Sequence, residues 1–120
     1  MTILETLKNE SVQTTTSNTF DVMLSKDFTL DHDNQNYRLL ISCEFTVNNK
    51  NDKAFLEVIL DATQIALDSF KPADNNDPHM FCCMHFVTLD SGLHNLSLNA
   101  RSESGNTVSV RRARLSVDKF

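Results

Sequence analysis

The chain is predicted to be all-β, an antiparallel β-sandwich, and three features of the sequence say so. Residues 37–47 alternate: Tyr37, Leu39, Ile41, Cys43, Phe45 and Val47 are apolar, and Arg38, Ser42, Glu44 and Thr46 fall between them. A run of that length at period two does not fit a helix. Near the C-terminus the same period recurs in Leu96, Leu98 and Ala100, then in Val108 and Val110, and then, one residue out of phase, in Ala113, Leu115 and Val117. Such a slip inside a regular strand is the mark of a β-bulge, placed here at Arg111-Arg112. Elsewhere, short apolar runs are separated by clusters of Asn, Asp and Ser, with no helical period.

Taken in order, residues 1–18 read as an N-terminal arm preceding a domain that spans 19–120. Ile3, Leu4 and Leu7 share one side of one or two possible helical turns, and the Thr-rich piece that follows has Val12 as its apolar residue. A segment so poor in apolar surface does not order alone. It is either a loose tail or an arm that orders against another subunit. Strands follow over 20–30, with Phe20, Val22, Leu24, Phe28 and Leu30 on one parity, and over 37–47, 55–60 and 64–67. A polar loop containing both prolines covers 69–78, a strand covers 80–89, and the C-terminal hairpin closes the chain. The sequence has 2 glycines, so Asn and Asp are expected at the turn positions that need positive φ.

A length of 120 residues suits one core. The net charge of −5 argues against a general nucleic-acid binder. No apolar run reaches the roughly 18 residues of a membrane helix. The N-terminus has no basic segment with an apolar stretch behind it, so it does not read as a signal peptide. Cys43, Cys82 and Cys83 are odd in number, and the adjacent pair points to opposite faces of a strand. A disulfide framework is therefore not expected, and the three read as reduced, buried small hydrophobes made in a cytoplasm.

The strand at 80–89 is apolar on both parities: Met80, Cys82, Met84 and Phe86 on one, Phe81, Cys83, Val87 and Leu89 on the other. Leu40 and Ile59 intrude in the same way on neighbouring strands. A two-layer sandwich needs one buried face per sheet, so something must cover the second. The expected cover is another subunit, with Leu40, Ile59, Phe81, Cys83 and Val87 at the interface. The N-terminal arm or the long loop would serve instead if the face is closed within one chain.

The C-terminal pattern Leu89-Asp90-Ser91-Gly92-Leu93-His94, then Leu96-Ser97-Leu98, then Thr107 to Leu115 through Arg111-Arg112-Ala113-Arg114, resembles the last hairpin of small phage-encoded jelly-roll proteins of the complement- and tumour-necrosis-factor-like trimeric type. The likeness extends over about 20–117 and includes the Tyr37-Arg38-Leu39-Leu40-Ile41-Ser42 strand; the paired arginines depart from the usual polar residue at position 112. The resemblance implies a homotrimeric jelly roll without catalysis. Its members serve as capsid decoration or cement proteins, head fibres or receptor-binding tips. The expectation is a bacteriophage virion protein on the capsid surface, made in the host cytoplasm, holding the major capsid protein through the arm residues Ile3, Leu4, Leu7 and Val12. The alternative is a receptor- or carbohydrate-binding tip of a head or tail fibre.

Signals for chemistry are weak. Residues 31–36 begin like a calcium loop but lack Gly at the sixth position, and Ser42 stands where the bidentate acid belongs. His79, Cys82, Cys83 and His85 are ligand types, but strand alternation separates them. Neither a cofactor nor a metal is expected. Arg112 and Arg114 share a strand face and suit carboxylates of a neighbouring subunit or capsid protein.

Overall fold

The computed structural model describes residues 2–119, with side chains from residue 6 onward. Among the described residues there are nine strands: β1 Thr2–Asn9, β2 Gln13–Thr15, β3 Asp21–Leu30, β4 Gln35–Val47, β5 Ala54–Leu60, β6 Thr63–Phe70, β7 His79–Leu89, β8 Gly92–Ser102 and β9 Val108–Lys119. One sheet has the order β1-β9-β4-β7, with β2 continuing along β9 where β1 stops; the other has the order β3-β8-β5-β6. Every pairing is antiparallel. From β2 onward each connection crosses between the sheets, except the β5–β6 hairpin. That winding makes the sandwich a jelly roll.

Alternation produces the core. Leu39, Ile41, Cys43 and Val47 on β4, Leu56 and Val58 on β5, Leu96, Leu98 and Ala100 on β8 and Val108 on β9 are wholly buried. The bulge falls where the phase slip puts it: Ser42 pairs with Arg114 and Glu44 with Arg111, so two residues of β9 oppose one of β4. Arg112 takes φ 53° there, a left-handed conformation that costs a non-glycine residue on the order of 1 kcal/mol. Asn34, Asp61 and Asn76 occupy positive-φ positions, as the scarcity of glycine requires.

Four expectations change. The N-terminal stretch is neither helix nor loose arm: β1 runs from Thr2 to Asn9 along β9, Leu7 opposite Leu115, and Leu7 packs against the core. The Thr-rich piece that follows is ordered in the same way, β2 pairing with Val108 to Val110 of β9, so ladder hydrogen bonds supply what it lacks in apolar surface. Within β3 a bulge between Val22 and Leu24 buries both Met23 and Leu24 and leaves Val22 62% exposed, so the single parity read for 20–30 breaks there. Cys82 is exposed, whereas Cys43 is buried and Cys83 partly so; burial, helped by Asp68 and Glu44, pushes the Cys43 thiol up to about 12. Lastly, Phe81 is in the core, and Cys83 and Val87 pack against it. They are on the inner face of β7, not among its outward residues.

Two turn clamps close the ends of the sandwich. Asp52 is 1% exposed. It accepts hydrogen bonds from the Lys53 amide, the Ser102 hydroxyl, the Ser104 amide and both the amide and side chain of Asn106. At the other end the His94 ring bonds to Asp61 and to the Asp90 carbonyl and stacks on Phe28. Partial burial works against the imidazolium, but these hydrogen bonds and the charges of Asp61 and Asp90 outweigh it and raise the His94 pKa. A raised folded-state pKa means that the contribution is complete below the ordinary value of 6.5 and is lost as pH rises through the folded value. His94→Gln is therefore expected to lower stability by about 1 kcal/mol at pH 5.5 and by less at pH 9, Asp61 being partly exposed. Urea titrations at the two pH values check this.

The β5–β6 hairpin turns on Asp61 (φ 49°) and Ala62 (φ 68°). Positive φ at both central residues is the type I′ geometry that matches strand twist, and alanine is a poor occupant. Ala62→Gly should stabilise the fold by about 1 kcal/mol, seen as a rise of a few degrees in Tm.

Candidate functional site

The outward residues of β7 form the most apolar surface among the described residues. Met80 is 64% exposed, Met84 54% and Phe86 56%, with Cys82 also exposed between them. Strand alternation fixes this: Phe81, turned inward, fills the core, so its neighbours must face out. Leu40, half-buried on β4, lies opposite Met84 and widens the stripe. Polar pairs border it. Arg38, opposite Phe86, reaches across to Asp118, and Glu44, opposite Met80, is held by Arg111. An apolar centre inside a charged rim is the usual composition of a protein contact.

β7 also ends its sheet, and among the described residues no strand pairs with its far edge. It carries none of the inward charges, prolines or bulges that normally block such an edge. Neither the long loop nor the N-terminal strand covers it. The loop is drawn to the end of β4, where Asn76 donates to the Val47 carbonyl and Thr46 to the Asp77 carbonyl. β1 and β2 lie at the opposite edge of the sheet.

Of the interface residues expected from the sequence, Leu40 belongs to this stripe. Ile59 is outward but on the other sheet, opposite Ser97 and Gln64. Arg112 and Arg114 are exposed on the outer face of β9, with Arg112 near Glu44 at 3.4 Å and Arg114 near Glu10 at 3.9 Å. Of the residues expected to hold a capsid, Val12 is 54% exposed beside a depression of about 200 Å³ lined also by Thr46, Asn76, Pro78, Ser109 and Arg111. Leu7 is turned to the core, and the side chains of Ile3 and Leu4 lie outside the described residues.

The ligand-like motifs are engaged in structural bonds. Asp33 accepts from the Ser91 amide and hydroxyl, and Asn34 donates to Asp90, which ties the β3–β4 turn to the β7–β8 turn. The Ser91 hydrogen bonds hold the Asp33 carboxyl below its ordinary pKa. His79 stacks on Phe70 at 4.5 Å, packs edge-on to Phe45 and sits 3.5 Å from Asp68.

The outer face of the second sheet holds a cluster the sequence did not reveal. Arg101 lies over the Phe55 ring at 3.9 Å and near the Phe20 ring at 5.3 Å. Beside it Glu57 accepts from Asn99 and Gln64. Its members come from strands distant in sequence, and pairing in the sheet is what gathers them.

No protein-family model matches the chain, and no curated protein is similar to it in sequence. Solved structures are similar in fold. The C-terminal domain of EclA, a sugar-binding protein, superposes with a TM-score of 0.60 at 12% identity, over 88% of this chain and 77% of that one. The VP2 subviral particle of infectious bursal disease virus gives a TM-score of 0.60 at 8% identity, over 94% of this chain and 32% of VP2. The insecticidal delta-endotoxin Cry8Ea1 of Bacillus thuringiensis gives 0.56 at 13%, over 91% of this chain and 19% of the toxin. The chain thus spans well under half the length of the last two. At such identities the likeness is one of architecture: a jelly-roll sandwich of a kind found in a sugar-binding domain, a viral particle and a toxin.

Proposed function

We propose that this protein is a virion structural component, a homotrimeric jelly roll that decorates a phage capsid and cements the major capsid protein. The observation that carries the reading is the exposed stripe Met80, Cys82, Met84 and Phe86 on β7, whose far edge meets no strand among the described residues. Burying one such large side chain is worth roughly 1.5–3 kcal/mol. Several per protomer suffice to hold copies together, and the resemblance of the C-terminal hairpin supplies the threefold arrangement. The fold shared with a viral particle protein is compatible with that setting. The work done is mechanical: a trimer that binds assembled shell and not loose subunits stabilises the shell by mass action, about 2.7 kcal/mol per site at a hundred times Kd.

Since β1 is part of the sandwich, attachment runs through the folded surface and not through a detachable arm. Capsids of the encoding phage that lack this protein, mixed with the purified chain and sedimented, should bind it saturably and resist heat better. Capsids that neither retain it nor gain stability would contradict the reading.

A second reading, a receptor- or carbohydrate-binding tip, is favoured by one observation, the Arg101–Phe55–Phe20 stack beside the Glu57–Asn99–Gln64 cluster. Such a face offers partly exposed rings and the exposed Gln64 to a polyhydroxylated ligand, with Glu57 and Asn99 buried beneath. Strong, specific hits on a glycan array, abolished by Phe55→Ala, would put this reading first.

A further inference from the structure

We infer that the arginine ridge of β9 is a docking site for an acidic peptide segment of a partner protein. The inference deepens the docking role proposed above and rests on it for the partner's source; the site itself is defined by the residues below.

In a regular strand Arg111 and Arg112 would face opposite sides, one of them into the core. The bulge prevents this. Arg112 adopts φ 53°, both arginines are exposed, and Ala113 returns to the interior. Glycine or asparagine would occupy that conformation with less strain, yet an arginine stands there, its side chain 62% exposed. Arg114, two residues on, adds a third guanidinium to the same outer face, and Lys8 of β1 lies opposite it in register.

Among the described residues, carboxylates close to the ridge are few. Glu44 receives the Arg111 Nε at 2.7 Å and the Arg112 Nη1 at 3.4 Å, and Glu10 is 3.9 Å from Arg114. A guanidinium carries five N–H donors in a planar fork, so these bonds leave most of the donors of the three arginines facing outward. Glu44 shows what the ridge accepts, a carboxylate held between two forks. The adjoining depression is lined by Val12, Glu44, Thr46, Pro78, Ser109 and Arg111. That mixture fits an extended peptide with carboxylates on one side and small apolar groups on the other.

The charge balance sharpens the site. The chain carries −5 overall, so an acidic partner is repelled by the rest of the molecule and attracted here. Such a field fixes the face presented on approach as well as adding affinity. Nucleic acid is disfavoured, since its affinity comes from many phosphate contacts over an extended basic surface and the ridge is confined to a few side chains.

The test is an NMR titration of the isotope-labelled full chain with a short glutamate-rich peptide, run beside its glutamine counterpart and a single-stranded DNA of matched charge. Saturable shifts are expected at Glu44, Thr46, Asn76, Ser109 and Arg111 to Arg114, weakened by added salt and absent with the glutamine peptide. Arg112→Gly should keep the bulge, leave Tm unchanged or higher and bind the acidic peptide several-fold more weakly. Combining it with Arg111→Gln should weaken binding about tenfold or more. Undiminished binding by the folded double variant, equal binding of the glutamine peptide, or tighter binding of DNA would overturn the inference. If the chain still assembles through β7 but ignores the acidic peptide, the ridge assignment fails and the structural role stands. If the peptide binds to a chain that stays monomeric, the reverse holds.

Discussion

On the proposed assembly, Met84→Lys is expected to yield monomers while leaving each sandwich folded. Met84 lies at the middle of the exposed stripe, opposite Leu40 and flanked by Cys82 and Phe86. A lysine there removes a large apolar side chain from the proposed contact and leaves a charge to be desolvated in its place. Lysine is also the residue that most often protects a sheet edge from unwanted pairing. The loss of about 3 kcal/mol of association free energy weakens assembly by two orders of magnitude. Within the protomer the change is on the surface, so urea stability of the monomer should move by no more than about 0.5 kcal/mol. Phe81→Ala supplies the contrast. Phe81 is 6% exposed on the opposite face of the same strand, and its truncation should cost about 3–5 kcal/mol of folding stability. Sedimentation for assembly and urea titration for stability separate the two faces of β7.

The second large effect is expected at Asp52, which takes no part in any proposed contact. Its carboxylate joins the β4–β5 turn to the β8–β9 turn by accepting from Lys53, Ser102, Ser104 and Asn106. Asp52→Ala leaves those donors without their acceptor at a buried position and should lower stability by about 2–4 kcal/mol. The pH dependence identifies the cause. Burial alone would raise this carboxyl's pKa, but the hydrogen bonds from Ser102, Lys53 and Asn106 outweigh burial and lower it from 3.8 to about 2. A depressed folded-state value contributes stability that is present above the unfolded pKa and is lost as pH falls through the folded one. The wild-type chain should therefore lose on the order of 2 kcal/mol from this group between about pH 4 and pH 2. Asp52→Ala should show a shallower acid transition over that window in urea titrations.

The sandwich was legible because its inner faces are written at period two. The alternation of 37–47 became β4 with every second residue from Tyr37 to Val47 inside, and the phase slip at Arg111-Arg112 became a bulge with the register shift it requires. Asn34, Asp61 and Asn76 at positive φ follow from the shortage of glycine. What stayed hidden depended on partners distant in sequence. Residues 2–9 look like a helical turn or two until β9 lies beside them. The double phase of β7 shows that two apolar faces exist, but alternation alone does not say which is inside; the core takes the face of Phe81, Cys83 and Val87, the one expected at an interface. The sheet decides, because Cys43 and Phe81 are register partners and Cys43 is buried. The Arg101–Phe55–Phe20 stack was illegible for the same reason, its residues being neighbours through strand pairing alone.

The most direct measurement is the native mass of the purified chain, followed through dilution, for the wild type and for Met84→Lys. A trimer that dissociates on dilution, with Met84→Lys monomeric throughout and still folded, is the expected result. A wild-type chain that remains a monomer at high concentration, its β7 stripe open to solvent, would contradict the assembly role on which the proposed function stands.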